Sequence, residues 1–337
     1  MRTLSAPASR PIRSHFLLVA ALLAGLLMAS SCVTEEQVSE GDNGEPATQR
    51  VSIATGGTGG VYFVYGGGLA EQITRNVDGV EATAEATSAS VDNMLLIADE
   101  ASDVAFTLAD TPQDAVEGRE GFDEAVPAQA LAQIYTNYTH VVTTANTGIE
   151  SIDDLGGQRD SVGSPNSGTE VIALRIMEAA GMDADTDIDR QQLDVEQSVQ
   201  ALRDGTIDAF FWSGGLPTGA ITDLSTTDQV VMIPTGEYVD DLQQTYGDVY
   251  SETDIPGDAY DGMEQAVPTI VVPNYLVVNE SMDEELAYDL TALLFERKDE
   301  LVQVHPEAEN LDPETAQDIV GLELHPGAER YFEETGG

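Results

Sequence analysis

The chain is poor in the side chains that do most covalent chemistry. It has one cysteine, Cys32, in 337 residues, so no internal disulfide can form and no C-x-x-C redox pair exists. No G-x-S-x-G nucleophile elbow occurs. Of the four histidines, His15 falls in a leader segment, and His140, His305 and His325 lie far apart without ligand spacing such as H-x-x-x-H. Positive charge is scarce as well: 13 Lys plus Arg stand against 61 Asp plus Glu, for a net charge of −48. Lys298 is the only lysine. With no basic stripe and a strongly repulsive field, nucleic acid is excluded as a partner. The acidic surface serves solubility and a hydrated exterior rather than any particular fold.

The apolar run Phe16 to Met28 is too short for a comfortable transmembrane helix. Arg2, Arg10 and Arg13 precede it, and Ala29-Ser30-Ser31 follow it. Basic end, apolar core and small residues read as a secretory signal peptide over residues 1–31. A lone cysteine directly after such a core resembles a bacterial lipoprotein site. Cys32 is therefore expected to carry a lipid that anchors the protein at the outer face of the cytoplasmic membrane. Residues 32–49 are polar, acidic and without hydrophobic period, which predicts a flexible tether.

From Val51 onward, short apolar runs alternate with segments of helical period. The strand-like runs are 51–54, 80–84, 104–108, 130–135, 140–144, 160–163, 209–212, 230–233, 269–272 and 275–278. The helical segments are 61–74, 91–98, 169–180, 196–203 and 284–304. Alternation of this kind predicts an α/β protein with mainly parallel sheet. Pro268 and Pro273 interrupt the run Val267–Val278 and point to a connection leaving one sheet for another. The expected organisation is two-lobed, with lobe I over 50–140 and 275–337 and lobe II over 141–274. A ligand cleft between the lobes follows, with hinges near His140–Thr144 and Pro273–Tyr275.

Three loops carry candidate chemistry. Val51 to Tyr62 reads as a strand, a loop of small residues (Gly56, Gly57, Thr58, Gly59, Gly60) and a helix start. Free amides at a helix N-terminus and the positive end of its dipole make an anion seat. Ser161 to Glu170 repeats the pattern with polar residues, Ser167 and Thr169 being good caps. Either loop alone also suits an ordinary strand-to-helix turn. Phe210 to Thr218 ends an apolar strand with the only tryptophan, Trp212, before Ser213, Gly214 and Gly215. An aromatic residue there can wall a pocket or fill a core. Ser88 and Asn93 flank Ser90, which is expected to cap a helix. The glycine loop lacks the Gly-Lys-Ser/Thr of a P-loop, and Tyr62 stands where a dinucleotide fingerprint needs glycine. Asp183 to Asp194 imitates a calcium loop but has Ile188 at the sixth position and Asp194 at the twelfth. No metal and no cofactor are expected.

These stretches together resemble the TAXI family, the extracytoplasmic solute receptors of one branch of TRAP transporters. The matching segments are Gly57–Tyr62, Ser164–Glu170, Asp208–Pro217, Val272–Val278 and His325–Tyr331. The resemblance implies a type II periplasmic-binding-protein-like fold and delivery of a solute to a TRAP-type permease driven by an ion gradient. Family members are associated with glutamate, glutamine, 2-oxoglutarate and similar carboxylates. Carried over by position, Thr58, Gly59, Gly60, Val61 and Tyr62, then Ser167, Gly168, Thr169 and Glu170, then Trp212, Ser213, Gly214 and Gly215 would contact the ligand. Ser88 and Tyr135 join them from the reading of the residues, with Tyr62, Tyr135 and Trp212 as walls. Ser164 and Asn166 stand where the family often has Ala and Gly. Asp110 stands where a neutral residue is common, and it would repel a carboxylate if it faced the cleft. A monomeric, non-enzymatic receptor is expected. An enzyme on the same fold acting on a small carboxylate, and an ABC-type receptor, are the alternatives.

Overall fold

The computed structural model describes residues 48–336. The expected signal peptide, Cys32 and nearly all of the tether lie outside the described residues. The order of elements is β1 (Gln49–Ala54), α1 (Val61–Asn76), β2 (Val80–Glu85), α2 (Ser90–Ala98), β3 (Val104–Leu108), α3 (Asp110–Glu117) and β4 (Ala128–Thr144). It continues with β5 (Arg159–Ser161), α4 (Gly168–Ala179), β6 (Asp189–Gln191), α5 (Val195–Arg203), β7 (Ala209–Gly214), α6 (Gly219–Ser225) and β8 (Val230–Met232). The chain ends with α7 (Val239–Tyr246), β9 (Ser251–Ile255), β10 (Val267–Asn279), α8 (Glu284–Glu296), α9 (Lys298–Val304) and α10 (Pro326–Thr335).

The strands join in the order β2-β1-β3-β10-β4-β7-β5-β6, with β8 on β4 and β9 on β10. Parallel pairing is confined to the two ends, where β1 lies between β2 and β3 and β5 lies between β6 and β7. The centre is antiparallel, because β10 pairs with β3, β4 and β9, and β4 pairs with β7 and β8. The sheet is therefore mixed, not mainly parallel. The two runs expected at 130–135 and 140–144 are one strand of 17 residues, β4. The polar stretch between them stays extended because its residues are paired on β7, Thr139 opposite Ser213 and Tyr138 opposite Gly214.

The prolines do not break β10. The β9 ladder on one flank of β10 stops at Val271, and the β3 ladder begins at Asn274. Pro273 sits in the interval, where the missing N–H costs no ladder bond on that flank. The helix expected over 284–304 divides at Arg297 into α8 and α9.

Periodic apolar faces decide which helix covers which part of the sheet. α1 buries Tyr62, Tyr65, Leu69 and Ile73, the i, i+3, i+4 stripe of an amphipathic helix. Those residues share a core with Val51, Ile53 and Phe106 of the sheet and with Leu290 and Leu294 of α8. α5 and α6 pack Val199, Leu202 and Ile221 against Val142 and Phe210. A third core joins Met94 and Ile97 of α2 to Ile172 and Ile176 of α4, so it draws on segments of both expected lobes.

Beside that shared core lies a buried ionic cluster. Arg175 of α4 pairs with Asp114 and stands 3.7 Å from Asp110, both on α3. Arg175 also donates to Tyr250 Oη at 2.6 Å, and that hydroxyl donates to Asp110 at 2.9 Å. Burial pushes the Asp110 carboxyl up, opposed by the Arg175 charge. Asp110 is thus tied into the interior and does not line the cavity described next.

Candidate functional site

β1 delivers the chain into the loop Thr55–Gly60, which turns into α1. Thr55 fixes the base of the loop, its N–H and its hydroxyl both donating to the Glu85 carbonyl at 3.0 and 2.6 Å. The Gly60 N–H closes the turn on the Gly57 carbonyl at 3.0 Å. Gly60 caps α1 with no side chain, so no side-chain oxygen occupies the first-turn amides. Gly60, Val61 and Tyr62 line the cavity described below, which places it at the positive end of the helix dipole.

The second loop is built differently. Ser167 Oγ accepts from the Glu170 N–H at 3.1 Å, and Glu170 accepts from the Asn166 N–H at 2.8 Å. The other Glu170 oxygen takes hydrogen bonds from Arg190 and Gln192. Asn166 is left-handed, at φ 60°, and its carbonyl accepts from Val91 and Asp92 N–H groups at 3.2 Å each. The N-terminus of α2 is therefore already filled by protein. Ser90 does not cap it; its hydroxyl accepts from the Leu108 N–H at 3.1 Å instead. Asn93 is structural too, donating to the Thr55 and Phe106 carbonyls at 2.7 Å.

Between the loops lies a cavity in which the centre of a water-sized sphere can move through about 70 Å³. A single water needs only about 10–15 Å³ on that measure, so a small solute fits. Thr58, Gly59, Gly60, Val61, Tyr62, Ser88, Tyr135, Ser167, Gly168, Thr169, Trp212, Ser213 and Gly214 all line it. Glu170 and Gly215 do not. The Glu170 carboxylate is spent behind the loop, and Gly215 packs against Glu307, which accepts from the Leu216 N–H at 2.9 Å.

The aromatic walls are held from behind. Tyr62 Oη donates to Asn274 Oδ1, and the Tyr62 and Tyr135 rings meet edge to face with centroids 6.4 Å apart. Trp212 Nε1 donates to Thr218 Oγ1 at 2.9 Å. The Thr218 N–H donates to Tyr260 Oη at 3.0 Å, which lies 2.9 Å from His140 Nε2. His140 Nδ1 lies 2.9 Å from the Tyr138 carbonyl, so Nδ1 carries the proton and Nε2 accepts from Tyr260. Burial pushes His140 down to about 4, keeping this relay neutral. Burial also pushes the Tyr62 and Tyr135 phenols up, so both remain hydroxyl donors.

The sequence does not mark Asn137 or Glu196, and it marks Asp194 only as the end of a calcium-like segment, yet all three line the cavity. Asn137 lay in the gap between two expected strands. Asp194 and Glu196 lay at a helix start that was not connected to the site, although Asp194 followed three residues later by Gln197 is a capping-box signal. Among the described residues no Arg, Lys or His lines the cavity. The calcium-like segment folds onto itself. Asp183 accepts from the Asp185 N–H at 2.9 Å, Asp187 from the Asp183 N–H at 2.8 Å, and Asp185 pairs with Arg190. Among the described residues no group of three or more His, Cys, Asp or Glu is placed to hold a metal ion.

A family model described as the NMT1-like family matches residues 53–336. The chain belongs to the NMT1-like family. The fold of this NMT1-like chain is that of periplasmic solute-binding proteins, whose solved structures are two-lobed. It is similar to a binding-protein component of an ABC phosphonate transporter from Pseudomonas aeruginosa, with a TM-score of 0.51, 11% identity, and 78% of this chain and 80% of that chain covered. It is also similar to the periplasmic aliphatic sulphonate binding protein SsuA from Escherichia coli, with a TM-score of 0.48, 14% identity and coverage of 85% and 83%. Both of these similar structures are binding proteins, the first of them a component of an ABC transporter.

Proposed function

We propose that the protein is an extracytoplasmic receptor that captures a small carboxylate, such as glutamate, glutamine or 2-oxoglutarate, for a TRAP-type secondary transporter. The observation that carries the carboxylate is the uncapped α1 N-terminus beside a cavity lined by the hydroxyl-bearing residues Thr58, Ser88, Ser167, Thr169 and Ser213. Backbone amides and the dipole bind an anion at short range even though the long-range field of an acidic protein repels it. The TRAP partner is supported by the TAXI-like motifs from Gly57 to Tyr331. On this reading, lobe I comprises 50–140 and 275–337, lobe II comprises 141–274, and closure twists the β4–β10 ribbon that joins them. Cys32 would carry the lipid that keeps the receptor at the membrane.

Mass spectrometry of solute released from purified protein, followed by a thermal-shift panel of amino and keto acids, tests the ligand. Release of a sugar or an inorganic cation, with no response to any carboxylate, sinks the reading. An ABC-type receptor is the second reading, favoured by the fold relative from an ABC phosphonate system. It changes the partner and not the cavity, and co-purification with a TRAP or an ABC membrane subunit separates the two.

A further inference from the structure

We propose that the cavity selects a solute bearing an amino group beside its carboxylate, and that Glu196 reads the ammonium. This inference rests on the carboxylate-capture reading above.

The cavity has two chemically different sides. One is the amide-rich start of α1. The other includes Glu196, in the first turn of α5, whose side chain hangs over the glycine loop. A β-carbon added to Gly59 would lie 2.7 Å from Glu196 Oε1. Asp194 is committed to capping α5, accepting from the Gln197 N–H at 2.8 Å. Glu196 takes no part in a side-chain hydrogen bond or ion pair among the described residues and lines the cavity. A ligand with a second negative charge would meet it as a like charge, with no cationic side chain on the wall to compensate. An ammonium turns the same carboxylate into a charge-assisted acceptor.

Two orphaned polar atoms point the same way. Tyr135 Oη and Asn137 Oδ1 have no hydrogen-bond partner among the described residues; the two residues are 3% and 4% exposed, and both line the cavity. Buried polar groups in native proteins are satisfied, and each one left unsatisfied is costly. A ligand carboxylate accepts from the Tyr135 hydroxyl. A ligand N–H donates to Asn137 Oδ1, which an acid without a donor cannot satisfy. Tyr135 and Asn137 lie two residues apart on β4, so donor and acceptor project from the same face of the strand.

Titration calorimetry on the purified chain tests this with pairs that differ only in the amino group: L-glutamine and 5-amino-5-oxopentanoate, L-glutamate and glutarate, L-leucine and 4-methylpentanoate. The expected result is that, in at least one pair, the amino acid binds about 100-fold more tightly than its partner, the size of a lost charge-assisted hydrogen bond. Glu196→Gln is expected to cut that ratio to below about tenfold with no change in Tm, since the side chain makes no contact that holds the fold. If an acid binds as well with or without its amino group, the inference falls while carboxylate capture stands. If no acid of any pair binds, both fall. If the full ratio survives Glu196→Gln, the assignment to Glu196 is wrong.

Discussion

The two loops that lead into α1 and α4 have the same plan in sequence and different work in the structure. The first spends almost nothing on itself: glycines, one turn hydrogen bond and an uncapped helix. The second spends nearly every polar group it has. Ser167 caps α4, Glu170 ties Asn166 to Arg190 and Gln192, and the Asn166 carbonyl fills the start of α2. One loop is an open seat, and the other is a brace that sets how close α2 and α4 approach. The strands feeding them differ in the opposite sense. Ser52 of β1 donates through its N–H and hydroxyl to Asp103 at 2.7 and 2.9 Å, whereas Asp160 of β5 is buried with both carboxylate oxygens unpaired. Equivalent positions in a repeated pattern need not be equivalent sites, because what fills a helix N-terminus is decided by neighbours distant in sequence.

The comparison can be broken from the braced side first. Arg175→Met leaves Asp110 buried with no cation and Asp114 with only the half-exposed Arg119, 3.2 Å away, and a loss of about 3–5 kcal/mol is expected in chemical denaturation. A loss below about 1 kcal/mol would mean that the α3–α4 contact is not what holds this half. Gly168→Val comes next. Even a β-carbon there would lie 2.6 Å from Leu108 Cδ1 and from Ser90 Oγ, so α2 and α4 must part at a cost of about 1–3 kcal/mol, with a matching loss of ligand affinity. A glycine of the open loop, one residue before the α1 cap, is the contrast. Gly59→Ala meets only the flexible end of Glu196, and a change in Tm within the noise, equivalent to about 0.5 kcal/mol or less, is expected.

Asp160 gives the comparison a pH axis. Burial pushes its carboxyl up to about 8, with Asp208 adding to the shift. The folded state therefore holds a proton that the unfolded chain releases near the ordinary carboxylate value. This contribution is complete at acid pH and is lost as pH rises toward and through 8. Asp160→Asn should flatten that slope, leaving the variant more stable than the parent by about 1–3 kcal/mol at about pH 9 and little different at about pH 4. Unfolding midpoints across the range check it, and parallel curves for the two proteins would place a charged partner beside Asp160. The smallest effect is expected at the brace itself. Glu170→Gln should weaken ligand binding by about three- to tenfold with little change in Tm, since it loosens the loop without touching the cavity.

The α/β alternation and the cavity-lining loops were legible because each rests on local pattern. Val104–Leu108 is a fully buried apolar run, and α1 carries a clear helical stripe. What was illegible depends on pairing. β9, Ser-Glu-Thr-Asp-Ile, is almost wholly exposed and becomes a strand only because β10 offers an edge. α3 has Pro112 in its first turn and a short polar sequence, and it owes its place to Arg175 on another helix. The prolines of β10 looked like breaks because the change of partner at Val271 to Asn274 is not written in the strand. In the site, Glu170 carries a motif position but points its charge away, toward Arg190. Glu196, which no motif marks, reaches the glycine loop through the packing of α5.

Trp212 is the only tryptophan in the chain and stands on the cavity wall with its indole N–H fixed on Thr218. The protein therefore carries a single built-in fluorophore at the place of interest. Selective excitation of the indole reads that wall alone, free of signal from any other part of the molecule. A solute that displaces water from the ring shifts its emission to the blue. Occupancy, release rate and the effect of salt on binding can be followed on the unlabelled protein, and Trp212→Phe supplies the dark control.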